Sequence, residues 1–227
     1  MMRIREHKPL MWFGATALML AVAVGMVSRF GPSAPASYYV AHLSPDSPAV
    51  DVYVGGKLSA AGLNYGQATT LQSNERNGEM LVEVRLAGTS PGSQALLSAS
   101  VNLHPGTPYV IAVANRLARL QIGPYAIPVG DVPAGLARVQ VLHAMPQSPR
   151  MGIRAGSNVI APALGYLEET LPYLDVAPGS TRMLAFTDEN PTTFLLDGTR
   201  DLPANAVTTV VIAGPPVQVI VFTTRVQ

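Results

Sequence analysis

The 227-residue chain is 48% hydrophobic and 13% charged, a balance that supports buried cores and excludes disorder. Four of its 15 Lys/Arg and one of its 14 Asp/Glu fall in residues 1–36, so the remainder holds 11 basic against 13 acidic side chains, about −2. That near-neutral body carries no basic footprint for nucleic acid, and the lack of cysteine excludes disulfides, a lipid-modified amino-terminal cysteine and thiolate metal sites.

The chain begins with Arg3, Arg5 and Lys8, followed by the uncharged apolar run Leu10–Val27. Eighteen residues sit between a signal-peptide core and a full membrane span. An apolar helix is expected here. Ala34-Pro35-Ala36 offers small residues for cleavage before Ser37, and two fates stay open for residues 1–36: removal as a signal peptide, or retention as an anchor through residues 10–27. Both keep the basic flank inside and send the body across the plasma membrane, so an extracytoplasmic location is expected, either secreted or membrane-anchored.

Beyond residue 37 the pattern has period two. Val50, Val52 and Val54 alternate with Asp51 and Tyr53, and Gly55-Gly56 then supplies a hairpin turn. Further strands are expected over 80–87, 95–103 and 109–115. GPYAIPVGDVPAGLA (123–137), with three Pro and three Gly, marks a boundary near Asp131–Pro133. The strand pattern then resumes: Met151, Ile153 and Ala155 precede Gly156-Ser157, and strands follow over 207–213 and 217–224.

The second half repeats the first. Residues 38–78 align without gaps with 139–179 at an offset of 101, pairing His42 with His143, Pro45 with Pro146, Tyr65 with Tyr166 and Thr69 with Thr170; residues 102–115 align with 201–214 at an offset of 99. This constant register is a duplication. Six to eight short strands in each copy predict an all-β protein of two tandem immunoglobulin-like antiparallel β-sandwich domains, 37–131 and 132–227, behind the apolar helix; a small barrel is the alternative. The short linker implies two domains packed end to end.

His42-Leu-Ser-Pro45-Asp46-Ser-Pro48-Ala-Val-Asp51-Val-Tyr53-Val resembles the opening signature of an exported bacterial and archaeal family, domain of unknown function 4397, whose members often carry tandem copies behind a signal peptide. AlaGlyThr (87–89) and LeuHisProGlyThrProTyrVal (103–110) also resemble its pattern. The resemblance implies an extracytoplasmic β-sandwich module of the cell envelope and supplies no catalytic or binding residues.

Five residues stand out as contact candidates or repeat markers: His42, Asp46, Asp51, Tyr53 and His143. The histidines could be ligands or general bases, but each ends the apolar face of a strand before a Pro-containing turn, which favours a bond to that turn. Asp46 and Asp51 could bind calcium, yet the second copy has Gln147 and Gly152 in their places. Asp46 fits a turn former, and Asp51, opposite the valines, is expected on the wet face. Tyr53 becomes Arg154 and is the better contact candidate, with an exposed cross-strand pair as the bland reading; exposed tyrosines would suit a sugar-stacking or protein-contact platform. His-x-His and phosphate-binding glycine loops are absent from the sequence, so no catalytic, metal or cofactor residue is assigned.

The expected function is therefore a non-catalytic extracytoplasmic envelope module, structural, adhesive or protein-interacting. The alternatives are a glycan or small-ligand binding module and, behind it, an unrecognised hydrolase built on His42, His104 or His143. The expected partner is a protein or glycan at the cell surface.

Overall fold

Strands form wherever the period-two pattern meets Gly or Pro punctuation. The computed structural model describes residues 34–73, 76–187 and 194–226. The expected amino-terminal helix and the run 10–27 lie outside the described residues, among which no helix is long and apolar enough to cross a membrane.

In the first copy the strands are β1 (Ser37–Leu43), β2 (Val50–Val54), β3 (Lys57–Leu63), β4 (Gln72–Ser73), β5 (Gly78–Leu86), β6 (Leu97–Leu103), β7 (Pro108–Ala114) and β8 (Gln121–Ala126). The second copy repeats them as β9 (Ala137–Ala144), β10 (Met151–Ala155), β11 (Asn158–Leu164), β12 (Leu174–Val176), β13 (Gly179–Phe186), β14 (Phe194–Leu202), β15 (Ala206–Ala213) and β16 (Gln218–Arg225). Each copy is a sandwich of two four-stranded sheets: β3-β2-β5-β6 over β4-β1-β7-β8, and β11-β10-β13-β14 over β12-β9-β15-β16. Gly55 and Gly56 turn the first hairpin with φ of 58° and 82°, a conformation in which a side chain would be strained.

One pairing in each copy departs from the antiparallel expectation. β1 runs parallel to β7, in register from Ser37↔Pro108 to Leu43↔Ala114, and β9 runs parallel to β15. Parallel neighbours need a long crossover, and here the chain passes through the opposite sheet before returning.

Inside each sandwich the alternate apolar side chains meet. Val50, Val52, Val54, Val82, Val84 and Ile111 are among the first core, with Met151, Ile153, Met183, Leu202 and Val210 among the second. A third core lies between the copies: Tyr39, Ala41, Leu43, Val110, Ala112 and Ile127 pack against Leu142, Ala144, Val207, Val211, Ala213 and Phe222. The copies are therefore stacked face to face rather than end to end, in four layers with the β1 and β9 sheets in the middle. The physical reason is that every residue of β7 and β15 is buried, which requires cover on both faces.

The contacts across this seam are reciprocal. Tyr39 packs on Phe222 at 4.5 Å between ring centroids. Its counterpart Gln140 reaches back to the first copy and donates from Nε2 to the Ala126 carbonyl (2.9 Å). Tyr65 donates to the Pro216 carbonyl (2.8 Å) and Tyr125 to the Leu167 carbonyl (3.3 Å). The linker is pinned as well: Arg138 makes a bidentate pair with Asp175 (2.7 and 2.9 Å) and donates to the carbonyls of Pro128, Gly130 and Asp131.

Residues 37–131 expressed alone leave Tyr39, Leu43, Val110 and Ala112 without cover, a contiguous apolar face of the kind that drives association. Size-exclusion chromatography is expected to find this fragment as a self-associated species or an aggregate. A monodisperse, folded monomer would contradict the interdependence of the copies.

Candidate functional site

The repeated histidines occupy the same environment. The His42 ring is fully buried; Nδ1 accepts from the Ser44 N–H (3.3 Å), so Nε2 carries the proton and donates to the Pro48 carbonyl (3.1 Å). His143 is also fully buried, with Nδ1 accepting from the Met145 N–H (3.1 Å) and Nε2 donating to the Pro149 carbonyl (3.3 Å). The main chain of each is bound across the seam-side loop: the His42 N–H to the Gln67 carbonyl and the His143 N–H to the Glu168 carbonyl. With both ring nitrogens spent on backbone, neither is placed as a ligand or general base. Each ring fixes the path of the loop that leads from the inner sheet to the outer one, the role that turn chemistry predicted.

Asp46 is exposed and accepts from the Leu117 N–H (2.8 Å), bracing the first loop against the short 3₁₀ turn Leu117–Arg119. Asp51 corrects its expectation. It is 7% exposed, and its two oxygens accept from Gly62 N–H (2.7 Å) and Gly88 N–H (3.0 Å). The β2–β3 register slips between Val50 and Tyr53, and this irregularity presents the Gly62 amide to a carboxylate that period-two reasoning sends to water.

Tyr53 is half-buried, with the Arg85 guanidinium 5.5 Å above its ring. Arg85 also pairs with Glu83 (2.8 Å) and donates to the Ser93 carbonyl. In the second copy Arg154 replaces Tyr53 and Phe186 replaces Arg85, and the guanidinium again lies over the ring, at 5.7 Å. The aromatic and cationic partners have exchanged places. The exchange also explains Gly152: a Cβ there would lie 2.3 Å from the Phe186 ring, so the position of Asp51 is left without a side chain. The tyrosine platform is not displayed, since none of the eight tyrosines is exposed.

Among the described residues, no group of three or more His, Cys, Asp or Glu could hold a metal ion. A hollow that combines polar and apolar chemistry opens at the seam. It has a volume of about 510 Å³ and is lined by Tyr125 of the first copy and by Arg150, Ile160, Leu167, Glu169 and Leu171, among others, of the second. Arg150 donates to the Ala163 carbonyl (2.7 Å) and pairs with Glu168 (2.9 Å). The Gly165 N–H, followed by Arg150, holds the Glu168 carboxyl below its ordinary range. Burial pushes the Glu169 carboxyl up, opposed by the amide of Gln140, which donates to Glu169 Oε2. Burial and the nearby Glu169 raise the Tyr125 hydroxyl to about 12. None of these residues stood out in the sequence; the readable sign was the alignment of Ala68 with Glu169 and of Tyr39 with Gln140.

The fold and its hydrogen-bonded loops define a duplicated β-sandwich protein whose two copies share a seam. The chain belongs to the family described as domain of unknown function (DUF4397), whose profile matches residues 36–151 and again residues 137–226. No match was found among curated proteins. Among solved structures, similarity extends to a family CBM26 module of Eubacterium rectale Amy13K in complex with maltoheptaose (8% identity, TM-score 0.27, covering 83% of this chain and 97% of that one). A streptococcal virulence factor described as binding alpha-glucan is also similar (13% identity, TM-score 0.26, 77% and 92% covered). TM-scores this low carry no argument about ligand.

Two outcomes follow from these geometries. Burial holds both imidazoles below the ordinary histidine range, with the Pro48 and Pro149 carbonyls only partly opposing it. The unfolded chain therefore binds protons near pH 6.5 that the folded chain refuses. Stability is complete above about pH 6.5 and falls below it, by at most about 1.4 kcal/mol per pH unit for each histidine. Urea melts from pH 7.5 to 5.5 are expected to show a shallower pH slope for His42→Gln than for the parent. For the exchanged pair, Arg85→Phe should destabilise more than Asp51→Gly/Arg85→Phe, with a coupling of about 1 kcal/mol or more in a double-mutant cycle.

Proposed function

We propose that this protein is a non-catalytic extracytoplasmic module of the cell envelope that works as a rigid block for contact with other envelope components. The carrying observation is that the side chains of its signature are turned to internal architecture. His42, Asp46 and Asp51 all bond backbone groups, which leaves the outer sheet faces and the seam hollow for recognition. The basic start, the apolar run Leu10–Val27 and the absence of cysteine support export without disulfides. The stacked sandwiches and the pinned linker support a spacer or scaffold of constant length.

A second reading, binding of a glycan, is favoured by the seam hollow, where the Tyr125 ring stands beside carboxylate and guanidinium groups. This mixture of apolar face and hydrogen-bonding edge is what a sugar ring requires.

The chain has only two lysines, Lys8 in the basic start and the exposed Lys57 on the first hairpin. A membrane-impermeant amine-reactive biotin applied to intact cells is therefore expected to label the protein at Lys57, with Lys57→Arg removing that site and leaving only a new α-amine where the leader is cut. Proximity labelling from a tag after Gln227 should then capture envelope proteins. Lys57 labelling that appears only after lysis would sink the extracytoplasmic placement.

A further inference from the structure

Duplication supplies an internal comparison, because each seam-lining position in one copy has a counterpart in the other. Around Tyr39 the seam is closed by an aromatic contact, Tyr39 on Phe222, with Ala68 beside it in the same core. The related place in the second copy has Gln140 for Tyr39 and Glu169 for Ala68, and there the seam opens into the 510 Å³ hollow. Ala49 becomes Arg150, which adds a guanidinium to the wall. The same scaffold thus closes its seam with apolar groups once and with a carboxylate, an amide and a guanidinium once.

The hollow holds two carboxyls, Glu168 and Glu169, and one guanidinium, Arg150. Arg150 pairs with Glu168, and Gln140 donates to one oxygen of Glu169 while its own oxygen accepts from Thr209 (2.8 Å). Glu169 thus meets an amide and no cation, and burial pushes its carboxyl up toward the neutral form. Bonding capacity remains, however: among the described residues, Glu169 Oε1, Glu168 Oε1 and Arg150 Nη1 have no protein hydrogen-bond partner. Spare acceptors and a spare donor at fixed positions, with Tyr125, Ile160, Leu167 and the 66%-exposed Leu171 as apolar walls, match a ligand rich in hydroxyls with one apolar face. The volume accommodates a sugar of one or a few rings.

We infer that the seam hollow beside Glu169 and Tyr125 is a binding site for a short neutral saccharide, with Glu169 and Glu168 accepting from its hydroxyls, Arg150 donating to them, and Tyr125 lying against a ring face. This inference rests on the glycan reading given above and gives it a location.

The test uses the full-length protein in detergent micelles, titrated by NMR or calorimetry with maltotriose, cellotriose and N-acetylchitotriose, and with choline and inorganic phosphate as charge probes. At least one trisaccharide is expected to bind in the micromolar to millimolar range. Glu169→Gln and Tyr125→Ala should each weaken it about tenfold or more, and Leu171→Ala, at an exposed wall position, several-fold. Gln67→Ala, at the counterpart of Glu168 in the first copy, should leave binding unchanged. Thermal melts of every variant report folding, and the surface variant Leu171→Ala keeps the test decisive where Tyr125→Ala loosens the seam. A trisaccharide that binds with unchanged affinity to Glu169→Gln and Leu171→Ala overturns this site and leaves glycan binding to be placed elsewhere. Failure of all three trisaccharides to bind overturns both, as does binding of choline or phosphate alone.

Discussion

Burial of the two middle sheets on both faces is the constraint from which the rest of the molecule follows. A strand with cover on one side alternates apolar and polar residues, whereas one with cover on both sides is a near-continuous apolar run. β7 meets that second condition and β15 follows it apart from Thr208 and Thr209, every residue of both being buried, and each obtains its covers from different places: the outer sheet of its own copy, and the middle sheet of the other copy. Neither sandwich is complete alone. The linker becomes part of the structure for the same reason, since two copies held face to face leave the connecting chain a single path, which Arg138 fastens through three carbonyls and the Asp175 carboxylate.

The repeated histidine shows how the loops are made to fit this stack. An imidazole held neutral has one acceptor and one donor nitrogen on a rigid ring. In each copy the acceptor nitrogen takes the N–H two residues on and the donor nitrogen gives to a carbonyl six residues on. One side chain thereby satisfies two backbone groups in a loop that crosses from the middle sheet to the outer sheet, where unpaired backbone would otherwise be buried at a cost of about 1–3 kcal/mol each. A protonated ring could not accept from the N–H, so the arrangement specifies the neutral form.

Local features were legible in the sequence and long-range ones were not. The hairpin at Gly55-Gly56, the strands and the duplication were readable because alternation and positive-φ turns are properties of neighbouring residues. The role of His42 was readable from its place before Ser-Pro. The parallel β1–β7 pair was not, because pairing between residues about 70 apart leaves no local mark. Face-to-face stacking did leave a mark, the apolar run YVIAVA and the run VTTVVIA, interrupted only by two threonines, which fit cover on both sides better than a free face. Asp51 misled because period two identifies the side of a strand and not what lies beyond it, here the Gly62 and Gly88 amides. Tyr53 makes the cross-strand pair that was its bland reading, half-buried beneath Arg85, and its replacement by Arg154 looks like lost constraint until Arg85 and Phe186 are seen to change with it.

The two copies also separate positions that the fold constrains from those it leaves free. His42 and His143, or Thr69 and Thr170, keep their residue types because the same backbone bonds recur: Val40 N–H to Thr69 Oγ1 and Val141 N–H to Thr170 Oγ1, both 3.0 Å. Tyr53 and Arg85 exchange identities with Arg154 and Phe186 and keep their contact. The change from Tyr39 and Ala68 to Gln140 and Glu169 belongs to neither group. It replaces an aromatic contact with a partly buried carboxylate that must be desolvated and then supplied with an amide donor, and ionic groups in such places are on balance no more stabilising than the apolar groups they replace. The first copy shows that the seam closes well without them. Gln140 keeps a seam contact through the Ala126 carbonyl and Thr209, whereas Glu169 adds a carboxylate at the wall of an open hollow, a fixed acceptor that a closed seam cannot present.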